Sequence, residues 1–172
     1  ESQARNRYTY FASVARNEGY IQIQRIFEET ADNEKEHAKM FFKFLEGGMV
    51  EITASYPAGK INSTGDNLLA AADGEKEEWG VLYPGFEKVA REEGFTEIAD
   101  AFKEIAEVEE EHERRYRKLL ANVKNGTVFK RDKEAKWHCL NCGYLHHGKE
   151  APELCPACKH PRAYYQILPE NY

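Results

Sequence analysis

Two kinds of residue pair in this sequence have the spacing of metal ligands. Glu34-Lys35-Glu36-His37 and Glu109-Glu110-Glu111-His112 each set a carboxylate three residues before an imidazole. On an α-helix that spacing puts both groups on one face. Carboxylate oxygens with a little imidazole suit iron or manganese. A carboxylate can also bridge two metals while a histidine caps one of them. The second kind of pair is C-x-x-C, at Cys139/Cys142 and Cys155/Cys158, with twelve residues between the two pairs. Four thiolates in two such knuckles make a tetrahedral site for zinc or iron. On spacing alone a structural zinc ribbon is the commoner occupant, and two disulfides are a further reading.

One E-x-x-H on a glutamate-rich helix is ordinarily a solvated face. The weight comes from duplication. The stretch from Ala15 to His37 aligns without a gap on the stretch from Ala90 to His112, with nearly half of the positions identical, at a separation of 75 residues. Tyr8 and Tyr83 obey the same offset. The repeated unit is a helical hairpin.

The chain before about residue 128 is rich in Glu, Lys, Arg, Ala, Ile and Phe, so it reads as helix, with glycine or proline at the joints. A first helix from Glu1 to about Glu18 closes at Gly19, and a second runs to about Glu46 before Gly47-Gly48. A connector containing Pro57 and Gly59 reaches Asn62. Asp66 is the expected N-cap of a third helix that ends near Gly94, and a fourth runs to about Asn125. Pro84-Gly85 falls inside the third helix and predicts a kink there. The short joints make the helices antiparallel neighbours in pairs. The expected fold is an all-α four-helix bundle of ferritin-like type over 1–126.

In such a bundle two E-x-x-H helices face two helices that each supply a glutamate, and together they hold a di-iron pair. Glu1 on the first helix and Glu75 and Glu78 on the third are the candidates. The copy register sets Glu1 opposite Lys76, so duplication alone does not pair it with either. Lys76, Glu77, Glu110 and Glu111 are expected at the surface. Tyr8 lies two turns from Glu1 on the same face, and Tyr83 lies near the Glu75 face. Either tyrosine could serve core packing or support a ligand.

After Gly126 the character changes. Residues 127–136 read as linker or short strand. The segment 137–172 carries all four cysteines and the aromatics Trp137, Tyr144, Tyr164 and Tyr165. A unit this small needs a staple beyond its hydrophobic core, and a bound metal supplies one. The aromatics either shield a redox iron or form an ordinary small core. Charged residues make up 31% of the 172, the net charge is -6, and the mean hydropathy is -0.75. The charge argues against a nucleic-acid partner. The longest aliphatic run, Leu68 to Ala72, is far short of the roughly 20 residues of a membrane span. With no export signal in view, a reducing cytoplasm is the expected setting.

With these motifs in place, the sequence resembles the rubrerythrin family over essentially its whole length. The stretches ESQARNRYTYF, EETADNEKEHAK, GEKEEWGVLYP, EEEHERRY, CLNCGY and APELCPAC occur in that family's order. The resemblance implies di-iron ligands at Glu1, Glu34, His37, Glu75, Glu78, Glu109 and His112. It implies a rubredoxin-type iron at Cys139, Cys142, Cys155 and Cys158, hence three iron ions per chain and a small rubredoxin-like β/loop domain. Tyr8 and Tyr83 match the family's tyrosines that hydrogen-bond ligating carboxylates. Also implied are reduction of hydrogen peroxide to water, electrons entering at the rubredoxin iron, and a redox-linked exchange of Glu78 and His37 on one iron. The resemblance further implies a head-to-tail homodimer. The expected donor is a protein such as rubredoxin or a flavin-dependent reductase. Iron oxidation and storage is the alternative function, because ferritin-like bundles do it with similar ligands. A zinc-ribbon interaction module on an inert bundle is a third.

Overall fold

The computed structural model describes residues 1–171. The helical elements are α1 (Ser2–Asn17), α2 (Ile21–Phe42), α3 (Thr64–Glu77), a π-helical turn (Glu78–Leu82), α4 (Tyr83–Glu92) and α5 (Thr96–Lys124). The α3–π–α4 run is one continuous rod, so the helical part is a four-helix bundle. Its two hairpins close in the same way. Gly19 and Gly94 adopt φ of 84° and 85°, a left-handed conformation that glycine enters without a Cβ penalty. Behind each glycine the next N–H returns to the helix: Tyr20 N to Ala15 O and Phe95 N to Ala90 O, both at 2.8 Å. The duplicated sequence therefore repeats the backbone geometry of its turn.

Two expectations are corrected, and a third takes a more specific form. The N-cap of α3 is Ser63, not Asp66. Ser63 is extended, its Oγ accepts the Asp66 N–H, and it donates to Asp66 Oδ2 at 2.8 Å. Asp66 therefore stands at the third helical position and answers the cap. α2 stops at Phe42, a few residues before Glu46, and residues 43–63 form the connector. The expected kink at Pro84 takes the form of the π turn just before it, where Tyr83 N–H bonds to Glu78 O, five residues back. Proline has no N–H and crowds the preceding turn, and an inserted residue relieves both problems.

Tyr8, Phe11, Phe27, Leu68 and Tyr116 form the core at one end of the bundle. Glu18 ties the hairpins together by accepting the Thr64 N–H at 3.0 Å. β1 (Lys130–Cys139) begins within the segment read as linker or short strand. With β2 (Leu145–Glu150) and β3 (Tyr165–Ile167) it builds an antiparallel sheet in the order β2-β1-β3. Trp137, Cys139, Cys155 and Tyr165 are buried together against it. Tyr20 of the bundle stacks on Phe129 at the start of this unit, with ring centroids 6.1 Å apart. No helix among the described residues is long and apolar enough to cross a membrane.

Candidate metal centres

Six acidic and histidine side chains converge inside the bundle, and a seventh, Glu78, stands beside them. Two sets of potential ligand atoms each lie within 4.8 Å of one another: Glu1, Glu34, His37 and Glu109, and Glu34, Glu75, Glu109 and His112. Glu34 and Glu109 belong to both sets, so each can reach two cation positions at once. His37 Nδ1 lies 3.0 Å from Glu34 Oε2 and 2.9 Å from Glu109 Oε1. His112 Nδ1 lies 2.7 Å from Glu109 Oε2 and 3.2 Å from Glu34 Oε1.

Glu34, Glu75 and Glu109 are completely buried. Glu34 Oε1, Glu75 Oε2, both Glu109 oxygens, Glu1 Oε2 and His112 Nδ1 are buried and lack an aligned hydrogen-bond donor or acceptor. Buried charge of this kind is expensive unless paired or bound to a cation. The orphaned atoms converge on shared points, and their chemistry is that of hard-metal ligands. The donor set therefore fits a pair of iron ions.

Without a cation, protons partly take that role. Burial pushes the Glu78 carboxyl up to about 8 and Glu1 up to about 7, with neighbouring carboxylates adding to the Glu78 shift. Burial also raises Glu75, and the charges of Glu34 and Glu109 raise it further. For His37, burial pulls the value down but Glu1, Glu109 and Glu34 outweigh it and hold it at about 12. His112 reaches about 9 in the same way, beside Glu109 and Glu34. Glu34 falls to about 2 because the two histidines overcome its burial.

The tyrosines act crosswise. Tyr8 O–H donates to Glu75 Oε1 at 2.5 Å, and Tyr83 O–H donates to Glu1 Oε1. Tyr8 follows Glu1 by seven residues, whereas Tyr83 follows Glu75 by eight. The π turn absorbs the extra residue. This resolves the register puzzle of Glu1: once the insertion is counted, its counterpart is Glu75. Lys76 is exposed, as are Glu77, Glu110 and Glu111, and Glu111 pairs with Arg114 at 2.6 Å.

Glu78 differs from the other six. It is half-buried at the first position of the π turn and belongs to neither converging set. It borders a cavity of about 500 Å³ together with Glu1 and Tyr83, lined on another side by Ile52 and Tyr56 of the connector. Two supporting contacts had no sequence signal. Asn33 Oδ1 lies 3.3 Å from His112 Nε2, and Arg115 donates to Thr30 Oγ1 at 2.6 Å. Asn33 has no polar twin in the second copy, so duplication could not reveal it.

The cysteines form a second centre. Each knuckle turns on a left-handed residue just after its second cysteine, Gly143 at φ 81° and Lys159 at φ 61°. Backbone bonds close the turns, Gly143 N to Cys139 O and Lys159 N to Cys155 O, both at 2.9 Å. Cys139 and Cys158 Sγ are 3.8 Å apart, and Cys142 and Cys155 Sγ are 3.6 Å apart. A disulfide needs about 2.05 Å, and all four cysteines are free. A sulfur tetrahedron with metal–sulfur bonds near 2.3 Å has edges of about 3.8 Å, so the spacing fits one metal ion.

Comparisons with known proteins agree with both centres. Residues 1–120 match the family model described as Rubrerythrin, and residues 137–166 match "Rubrerythrin, rubredoxin-like domain". The rubrerythrin of Porphyromonas gingivalis is 63% identical over 172 residues, covering all of this chain and 86% of that one. The rubrerythrin of Nitratidesulfovibrio vulgaris is 55% identical, covering all of this chain and 90% of that one. A solved structure titled as the fully reduced, all-ferrous state of nigerythrin is 32% identical, with a TM-score of 0.65, and covers 97% of this chain and 80% of that one. The chain therefore belongs to the rubrerythrin family and has its architecture, a ferritin-like di-iron bundle followed by a rubredoxin-like four-cysteine domain.

Proposed function

We propose that the protein reduces hydrogen peroxide to water at a di-iron site in the bundle, with electrons relayed from an iron held by Cys139, Cys142, Cys155 and Cys158. The observation that carries this reading is a buried donor set shared between two cation positions in the same chain as a closed four-sulfur tetrahedron. The reaction consumes two electrons and two protons for each peroxide and yields two waters. Two bound ferrous ions would supply both electrons to one O–O bond.

The protein side chains hold and tune that site. Glu34 and Glu109 would be shared by both ions, Glu75 and His112 would complete the ligands of one, and Glu1 and His37 those of the other. Tyr8 and Tyr83 fix the orientation of Glu75 and Glu1 through their O–H bonds. Glu78 stands at the rim of the set, where it would be available to replace His37 as a ligand if the charge at that position changed. The cavity beside Glu78 would give a small oxidant access to the site. Four thiolates leave no open position at the cysteine centre, so that centre passes electrons and does not meet peroxide.

On this reading each chain holds three iron ions in a cytoplasmic protein. It works as a homodimer, in which one subunit's four-cysteine centre lies near the other's di-iron site. A rubredoxin or a flavin-dependent reductase supplies the electrons. Nucleic acid and membrane have no part in it.

Stopped-flow mixing of the reduced protein with peroxide and with dioxygen tests the reading. Peroxide is expected to reoxidise the bundle faster. Glu109→Ala is expected to abolish turnover and leave the red ferric four-sulfur chromophore intact. Equal or faster reoxidation by dioxygen, with iron accumulating as mineral, would favour storage instead.

A further inference from the structure

Because the hairpins are copies, side chains around the centre have counterparts 75 residues away. The correspondence fails behind the histidines. His112 Nε2 lies 3.3 Å from Asn33 Oδ1, while Nδ1 faces Glu109 and Glu34. An amide oxygen only accepts, so the ring donates from Nε2, and in the metal-bound protein it would keep the Nδ1 lone pair for the cation. The counterpart of Asn33 is Val108, which has no polar side-chain atom. His37 Nδ1 faces Glu109, Glu34 and Glu1, but no hydrogen bond joins His37 Nε2 to any described residue. The His37 side chain is also the more exposed, at 13% against 6% for His112.

We propose that Asn33 fastens the His112 ring by accepting its Nε2 proton, and that Val108 leaves the His37 ring unfastened. This one difference between the copies confines ligand exchange to the His37 side of the centre. The inference rests on the metal-site reading above and adds a positioning residue to it. Withdrawing His112 would break a bond within the protein and leave a buried N–H unsatisfied. Withdrawing His37 breaks no such bond, because solvent can meet its Nε2. Asn33 directly precedes Glu34, so the helix that supplies a shared carboxylate also fastens the histidine of the opposite hairpin.

Proton NMR of the protein loaded with Co(II) tests this without reference to turnover. A paramagnetic ion shifts the N–H resonances of both ligating imidazoles far from the rest of the spectrum. In wild type, one shifted signal is expected to survive transfer to deuterium oxide at least tenfold longer than the other. Asn33→Val should bring the slow signal to the fast rate. Asn33→Asp, which keeps an acceptor, should restore it, and Val108→Asn should slow the second signal. Equal exchange of the two signals in wild type would overturn the proposal, and that comparison needs no variant to fold. So would a slow signal indifferent to Asn33→Val. Absence of any shifted N–H signal would instead remove the metal site on which the proposal stands.

Discussion

Tyr8→Phe isolates the contribution of one phenol to the di-iron pocket. Tyr8 is fully buried, and its O–H is the only hydrogen-bond donor from the described residues to Glu75, whose second oxygen has none. Phenylalanine keeps the ring, and with it the packing on Phe11, Phe27 and Tyr116 at centroid distances of 6.3, 6.2 and 5.5 Å. The loss is therefore confined to the hydrogen bond. In the metal-free protein burial raises Glu75 and so favours its neutral form, in which the bond joins two neutral groups. Such a bond contributes about 0.5–1.5 kcal/mol, whereas one to a charged acceptor contributes about 1.5–3 kcal/mol. Metal binding requires the carboxylate, so the loaded protein loses more than the empty one, by about 1–1.5 kcal/mol. That difference corresponds to a roughly fivefold to tenfold loss of metal affinity. Denaturant unfolding of both forms, together with a chelator competition titration, measures all three quantities. Equal destabilisation of both forms, with unchanged metal affinity, would refute the argument that Tyr8 supports Glu75 as a ligand.

Two further outcomes follow from the same geometry. Cys142→Ser is expected to remove the red chromophore while the bundle still binds metal, read by visible absorption and metal analysis. Loss of bundle metal as well would show that units 1–126 and 137–172 are not independent. The metal-free protein should lose thermal stability steadily from about pH 4.5 to 9. Glu1 and Glu78, held up to about 7 and 8, keep protons above pH 4.5 that the unfolded chain has released, and His112 and His37, held up to about 9 and 12, do so above pH 6.5. Glu34, lowered to about 2, acts in the opposite sense, but its contribution is complete by pH 4.5. Metal displaces these protons, so metal affinity should rise over the same range. A melting midpoint of the metal-free protein that stays flat or rises would contradict this.

The sequence alone determined the features that depend on local spacing. E-x-x-H marks one helical face wherever the chain is helical, and a repeat of that motif in a copied hairpin identifies Glu34, His37, Glu109 and His112. The C-x-x-C knuckles and the Gly19 and Gly94 joints are equally local, because a few residues set the backbone there. What depends on phase and on facing partners was decided only by the tertiary structure. One inserted residue in the π turn rephases the third rod, and only then does Glu1 correspond to Glu75 and not to Lys76. The crosswise bonds from Tyr8 to Glu75 and from Tyr83 to Glu1 join residues 67 and 82 positions apart, beyond any local pattern. The cap is Ser63 and not the expected Asp66, because backbone conformation and not residue type alone decides which residue caps a helix. The sharing of Glu34 and Glu109 between two cation positions, and the placement of Asn33 behind His112, depend on how α2 and α5 face each other. Residue spacing along one helix carries no information about which side chains a second helix will bring opposite it.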